Sequence, residues 1–236
     1  MRAIFDHAEQ ETEHIWTFWF RPEKPLEYSA GQYTELYLPH ENADDRREKR
    51  WFTLSSAPGG ELVSITTKHS EPSSTFKDAL FGLQPGAPVD LAEAMGDFVL
   101  PKDAARPLVF VAGGIGLTPF HSIVSWLNDH GEKRDIKFLY SVRNESEIIF
   151  QDTFDAGEIV PTIVIAEPSS TWTGKTGRLS AEMILGLEKP ADNALIYVSG
   201  PEPMTEALET QLKTAGLHED QLVLDFFPNY QNDYAS

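Results

Sequence analysis

The segment that most constrains the fold is Pro107-Leu108-Val109-Phe110-Val111-Ala112-Gly113-Gly114-Ile115-Gly116-Leu117-Thr118-Pro119. Its first half is apolar without alternation, which suits a strand covered on both faces, as in a parallel sheet between helices. A glycine-rich turn follows, and then a helical pattern from Pro119 to about His130. Glycines let backbone approach an anion, and the N–H groups that open a helix point at it, so a phosphate site is expected here. Thr118 reads as the N-cap, and Pro119 suits the first helical turn because its missing N–H costs little there. The spacing is not G-x-G-x-x-G. A tight strand-to-helix turn with no ligand fits the same residues.

The period of the chain changes near Pro101. Before it, short β-rich runs (Ile15–Phe20, Gln32–Leu38, Arg50–Ser56, Leu62–Thr67, Val89–Ala92) are separated by turns such as Ala30-Gly31, Pro58-Gly59-Gly60 and Pro85-Gly86. That spacing predicts an antiparallel barrel or sandwich, interrupted by one helix over Ser74–Phe81. After it, strand candidates Ile136–Ser141, Thr162–Ala166, Ala194–Ser199 and Leu222–Phe226 alternate with helical stretches, notably Ser180–Leu185 and Glu202–Ala215. This is the pattern of a doubly wound parallel α/β sheet. The expected division is a β-barrel domain over 1–101 and a nucleotide-binding α/β domain over 102–236.

Charge and cysteine content narrow the chemistry. Nineteen Lys and Arg against 37 Asp and Glu give a net charge of −18, which argues against a general nucleic-acid binder. The chain has no Cys, which excludes disulfides, thiolate zinc and a cysteine-held iron–sulfur cluster within it. Seven scattered histidines show no ligand spacing, so no metal site is expected. No apolar run approaches about 18 residues and the N-terminus lacks a signal-peptide core, so the chain reads as soluble and cytoplasmic.

A second motif is Arg50-Trp51-Phe52-Thr53-Leu54-Ser55-Ser56. Arg can neutralise a diphosphate, an aromatic face can stack on a planar ring, and hydroxyls can bond ring edges. Taken alone, it reads more readily as an ordinary half-buried strand ending in a turn.

Together the two motifs resemble the ferredoxin–NADP reductase family of flavoproteins. Arg50–Ser56 is similar to its R-x-Y/F-S/T-x-x-S/T flavin strand, and Gly113–Pro119 to its GGIGxTP turn. Four further segments match in family order: Ser74-Thr75-Phe76 to a helix start at the flavin diphosphate, Gly96–Leu100 to G-x-F-x-L, Ser199–Met204 to C-G-P-x-x-M, and Asp225–Tyr230 to the C-terminal E-x-F-x-G-Y. The resemblance implies FAD as cofactor, NAD(P)H as co-substrate, and hydride transfer from nicotinamide to flavin. It implies that Arg50, Phe52, Thr53, Ser55, Ser74 and Thr75 meet flavin. It likewise implies that Gly113, Gly114, Gly116, Thr118, Gly200, Phe227 and Tyr230 serve cofactor binding, with Thr53, Ser199 and Asp225 at the reacting centre. Departures fall at Phe52 for Tyr, Glu71 for Gly, Ser199 for Cys, Asp225 for Glu and Asn229 for Gly; they put the geometry of hydride transfer in doubt rather than cofactor binding.

Arg143, just after the second strand of the wound domain, leans towards NADPH, since Arg there accommodates a 2′-phosphate. Electrons must leave to a separate acceptor, with ferredoxin or flavodoxin expected. The alternatives are a free-flavin or quinone reductase, or a flavin-binding electron-transfer subunit of a larger complex. The basic run Arg46-Arg47-Glu48-Lys49 beside the flavin strand could dock an acidic carrier, unless Asp44, Asp45 and Glu48 neutralise it.

Overall fold

The structure, a computed structural model, describes residues 1–69, 71–155, 157–186 and 193–227. The first of its two sheets contains β1 (Arg2–Gln10), β2 (Ile15–Pro22), β3 (Tyr33–Tyr37), β4 (Lys49–Thr53), β5 (Val63–Lys68) and β6 (Pro88–Leu91). Their order is β4-β3-β6-β1-β2-β5, and the pairs are antiparallel. Past the end of β4 the chain turns onto β5: Leu54 bridges Ile65, and the Ser55 amide donates to the Ser64 carbonyl at 2.8 Å. The outer strands thus meet, and closing the sheet into a barrel removes its exposed edges. Phe5, Phe18, Phe20, Leu36, Leu54 and Ile65 fill the interior.

β1 is the strand of this sheet that sequence reading misses. Ala3 and Phe5 are buried, but the register shifts between Phe5 and His7, so alternation does not persist into the polar second half. What makes it a strand is pairing to both β2 and β6. The helix α1 (Thr75–Phe81) is capped by Ser74 and buries Phe76 and Leu80.

The second sheet contains β7 (Leu108–Gly113), β8 (Ile136–Val142), β9 (Thr162–Ile165), β10 (Lys175–Thr176), β11 (Leu195–Pro201) and β12 (Leu222–Phe227). All pairs are parallel, in the order β10-β9-β8-β7-β11-β12. Around it run α2 (Thr118–His130), α3 (Gln151–Asp155), α4 (Ala181–Leu185) and α5 (Glu202–Thr214). Every residue of β7 is buried, as its unbroken apolar run requires. The chain winds outward from β7 and returns on its other side at β11. In an open α/β sheet, ligands bind beyond the carboxyl ends of the strands at such a reversal.

The barrel and the parallel sheet pack directly on each other. Phe98 inserts between Phe120 and Tyr197, with ring centroids at 5.3 and 5.1 Å, and the Tyr197 hydroxyl donates to the Val99 carbonyl at 2.7 Å. Among the described residues no helix is long and apolar enough to cross a membrane.

Candidate cofactor site

At the reversal, the chain leaves β7 through a short 3-10 turn, Gly114–Leu117, before α2 begins. This changes the expected role of Thr118. The turn is already helical, so Leu117 precedes the helix and Thr118 is its first residue, at φ −55° and ψ −47°. A helical residue cannot reach forward as an N-cap; instead the buried Thr118 hydroxyl donates back to the Ile115 carbonyl at 3.0 Å.

The glycines have a packing reason to be there. A Cβ on Gly116 would lie 2.3 Å from the Ser199 carbonyl oxygen, and one on Gly113 would lie 2.4 Å from Met204 Sδ. Gly114 takes φ +52°, and a Cβ on Gly200 would meet Met204 Cε at 2.5 Å. The turn after β7 and the end of β11 therefore meet backbone to backbone. That close contact fixes the path of the turn that opens α2, whose leading N–H groups are where a dinucleotide phosphate would bind.

Ser199 stands opposite Asp225 in the β11–β12 pairing. Ser199 is fully buried, and its hydroxyl donates to Asp225 Oδ2 at 3.2 Å. Burial pushes the Asp225 carboxyl up to about 6, opposed by the Ser199 hydrogen bond. Phe227 closes β12 opposite Pro201, and Tyr230 lies outside the described residues.

On the barrel side, α1 and β4 bring a second group together. The Arg50 guanidinium sits 4.9 Å from the Phe76 ring centroid and donates to the Asp44 carboxylate and to the Arg47 and Lys49 carbonyls. Phe52 lies 6.0 Å from Phe76. His40 packs edge-on against Phe76 at 5.7 Å, and its Nε2 is 3.2 Å from Thr75 Oγ1. Sequence reading counts His40 as one of seven isolated histidines, because the partner that places it is 35 positions away. The guanidinium and the partly buried Phe52 ring suit a flavin diphosphate and ring, while the His40 and Thr75 polar atoms are engaged with the Leu38 carbonyl and with each other.

The structure distributes the expected hydroxyl ligands unevenly. Ser55 is buried, its Oγ within 2.9 Å of the Ser64 and Thr66 hydroxyls, and Ser74 Oγ accepts from the Lys77 amide at 3.3 Å. Both are spent on the fold itself. The Thr53 hydroxyl, at the end of β4, has no hydrogen-bond partner among the described residues.

His121 joins the two groups and was not singled out from sequence. Its Nδ1 lies 2.6 Å from the Ser55 carbonyl oxygen and its Nε2 2.9 Å from Thr153 Oγ1, while its ring stacks on Phe150 at 3.8 Å. One edge lines a cavity of about 710 Å³ between barrel and α2. Desolvation pulls its pKa down to about 4, so the ring is neutral at neutral pH. Next to it, the Ser122 hydroxyl donates to the Ser56 carbonyl at 2.6 Å. The end of the flavin-like strand is thereby tied to the helix that follows the glycine turn.

Arg143 lies just past β8, and its Nε donates to Glu167 at 3.0 Å; that bond raises its pKa. In the basic run, Arg46 and Arg50 both lean on Asp44, and Lys49 pairs with Glu35 at 2.8 Å. Lys49 is thus paired, whereas Arg46 and Arg50 share a single carboxylate. Among the described residues no group of three or more His, Asp or Glu is gathered as for a metal.

Comparison with known proteins agrees with this geometry. Residues 110–210 match the family described as the Oxidoreductase NAD-binding domain. The chain is 28% identical over 217 residues to NADH oxidoreductase HCR of Escherichia coli, covering 92% of this chain and 65% of that protein. It is 29% identical over 220 residues to stachydrine N-demethylase reductase subunit Stc4 of Rhizobium meliloti, covering 89% and 61%. The chain thus spans less than two thirds of either relative. A ferredoxin NADP+ reductase from Neisseria gonorrhoeae, solved with FAD and NADP, superposes with a TM-score of 0.79 at 19% identity, covering 96% of this chain and 98% of that one. Residues 110–210 thus match an oxidoreductase NAD-binding domain, and the barrel followed by a parallel sheet is the fold of the solved ferredoxin NADP+ reductase.

Proposed function

We propose that residues 1–101 hold FAD, that residues 102–236 hold NAD(P)H, and that the chain passes electrons from the nicotinamide to a separate acceptor component. When bound, FAD supplies a hydride acceptor that can release electrons singly or in pairs. Arg50, once released from Asp44, supplies the positive charge for the diphosphate, the partly buried Phe52 supplies a flat apolar face, and Thr53 offers its hydroxyl at the end of β4. Gly113, Gly116 and Gly200 let the turn after β7 and the end of β11 close on each other beneath the dinucleotide, and Ser199 with Asp225 keeps a hydrogen-bonded pair behind it. The observation that carries this reading is the bond from His121 to the Ser55 carbonyl, reinforced by Ser122 to Ser56. It ties the residues just past β4 to α2, the helix that follows the glycine turn, which supports a flavin bound on the barrel facing a nicotinamide bound at that turn.

The acceptor proposed is a protein redox partner of the kind served by reductase subunits such as Stc4; ferredoxin and flavodoxin are the carriers to try first. The test is anaerobic mixing of the FAD-loaded protein with NADH and with NADPH, followed by a panel of ferredoxins, flavodoxins, oxygenase components and quinones. Loss of flavin absorbance with a nicotinamide, and its return with a protein acceptor, is the expected result. A protein whose FAD neither nucleotide reduces overturns the proposal, and turnover with quinones alone makes it a quinone reductase.

A further inference from the structure

The carboxyl ends of β8 and β9 carry more than the single arginine visible in sequence. Gly113 at the end of β7 is level with Ser141 of β8, so Arg143 stands two residues beyond the start of the glycine turn, on the crevice side of the sheet. The strands continue to pair there: the Ala166 amide donates to the Val142 carbonyl at 3.0 Å and the Glu167 amide to the Arg143 carbonyl at 2.7 Å. The Glu167 side chain accepts from Arg143 Nε at 3.0 Å. Two more carboxylates lie close by. Glu147 Oε2 accepts from the Arg143 amide at 3.3 Å, and Glu145 Oε1 accepts from the Ser169 amide at 2.9 Å. Lys68 reaches Glu147 at 3.4 Å. Glu167 and Glu147 thus lie against Arg143, Glu147 is shared with Lys68, and the guanidinium has its carboxylate already in place.

At this position of a doubly wound domain, an acid holds the ribose 2′-hydroxyl and an arginine accommodates a 2′-phosphate. A hydroxyl can donate to a carboxylate, whereas a phosphate bearing close to two negative charges is repelled by it and must displace it from the arginine. We propose that Glu167, paired with Arg143 at the ends of β9 and β8, makes the nucleotide site select NADH over NADPH. This reverses the lean that Arg143 alone gives, and it rests on the proposed reduction of bound flavin by a nicotinamide nucleotide.

Steady-state and stopped-flow reduction of the FAD-loaded protein by NADH and NADPH tests it, with Glu167→Gln and the double variant Glu167→Gln/Arg143→Gln alongside. The wild type is expected to show the higher kcat/KM with NADH. Glu167→Gln is expected to shift the NADH to NADPH ratio towards NADPH by about fivefold or more, the size of one nearby charge in a wet site. The double variant is expected to lose that shift, because the arginine released by Glu167→Gln is what the 2′-phosphate meets. Calorimetric titration with adenosine 2′,5′-bisphosphate, which needs no turnover, is expected to show tighter binding to Glu167→Gln than to wild type. A wild-type preference for NADPH, or a ratio and bisphosphate affinity unmoved by Glu167→Gln, overturns the selectivity while leaving flavin reduction intact. Failure of both nucleotides to reduce the flavin overturns the functional reading and this inference with it.

Discussion

Replacing His121 by glutamine tests how the two halves of the molecule are tied. The imidazole is held neutral by desolvation, with its pKa near 4 against 6.5 for an exposed ring, while both nitrogens are engaged. A base whose folded pKa is depressed leaves the folded state short of protons that the unfolded state takes up. Its stabilising contribution is therefore complete above about pH 6.5 and is lost as pH falls towards 4. Between pH 7 and pH 4.5 that loss is about 2.5 kcal/mol at ~1.4 kcal/mol per pH unit. The ring edge on the cavity brings it nearer to about 2 kcal/mol. The carboxylates on that cavity wall, Glu9, Glu11, Asp129 and Asp152, act the other way by favouring the imidazolium. Glutamine offers a donor and an acceptor on a similar reach but does not titrate. Urea unfolding of wild type and His121→Gln at both pH values, at one fixed FAD concentration, isolates the term, because all other titrating groups cancel in the comparison. Relative to wild type, the variant should gain about 2 kcal/mol on going to pH 4.5. A differential below about 0.5 kcal/mol, or one of opposite sign, would mean that the acids hold the ring protonated and would refute the reasoning.

Asp225→Asn should show the mirror image. A carboxyl raised to about 6 contributes stability that is complete below 3.8 and is lost as pH rises through 6. Wild type should therefore lose about 2 kcal/mol relative to the variant between pH 4 and 7 in the same unfolding assay, discounted for partial exposure. Arg50→Ala should weaken FAD binding by about 2–5 kcal/mol in a calorimetric titration, since it removes a charge in contact with Asp44 and the Phe76 face; full retention of FAD by the purified variant would sink the assignment. Gly116→Ala drives a methyl group into the Ser199 carbonyl, so it should cost about 1–3 kcal/mol in urea unfolding and weaken nicotinamide nucleotide binding. Unchanged stability would show that the two turns can separate.

Those parts of the molecule set by neighbours along the chain were legible in the amino-acid sequence. The unbroken apolar run of β7, the helical pattern of α5, the Ser74 start of α1 and the turn to an antiparallel sheet before Pro101 all follow from local periodicity and backbone preference. The glycine turn was legible as a place of close approach, though not what it approaches: Ser199, far along the chain, decides that. β1 escaped because a bulge breaks its period and only pairing on both edges makes it a strand. Tertiary structure alone decided the fate of polar side chains. It spent the Ser55, Ser74 and Thr118 hydroxyls on the fold, set Asp44 against Arg50 and Glu167 against Arg143, and put His121 on a carbonyl 66 positions away. A hydrogen bond or ion pair depends on distances of about 3 Å between specific atoms. Composition and spacing can say that a donor and an acceptor exist, but only the folded chain brings one to the other.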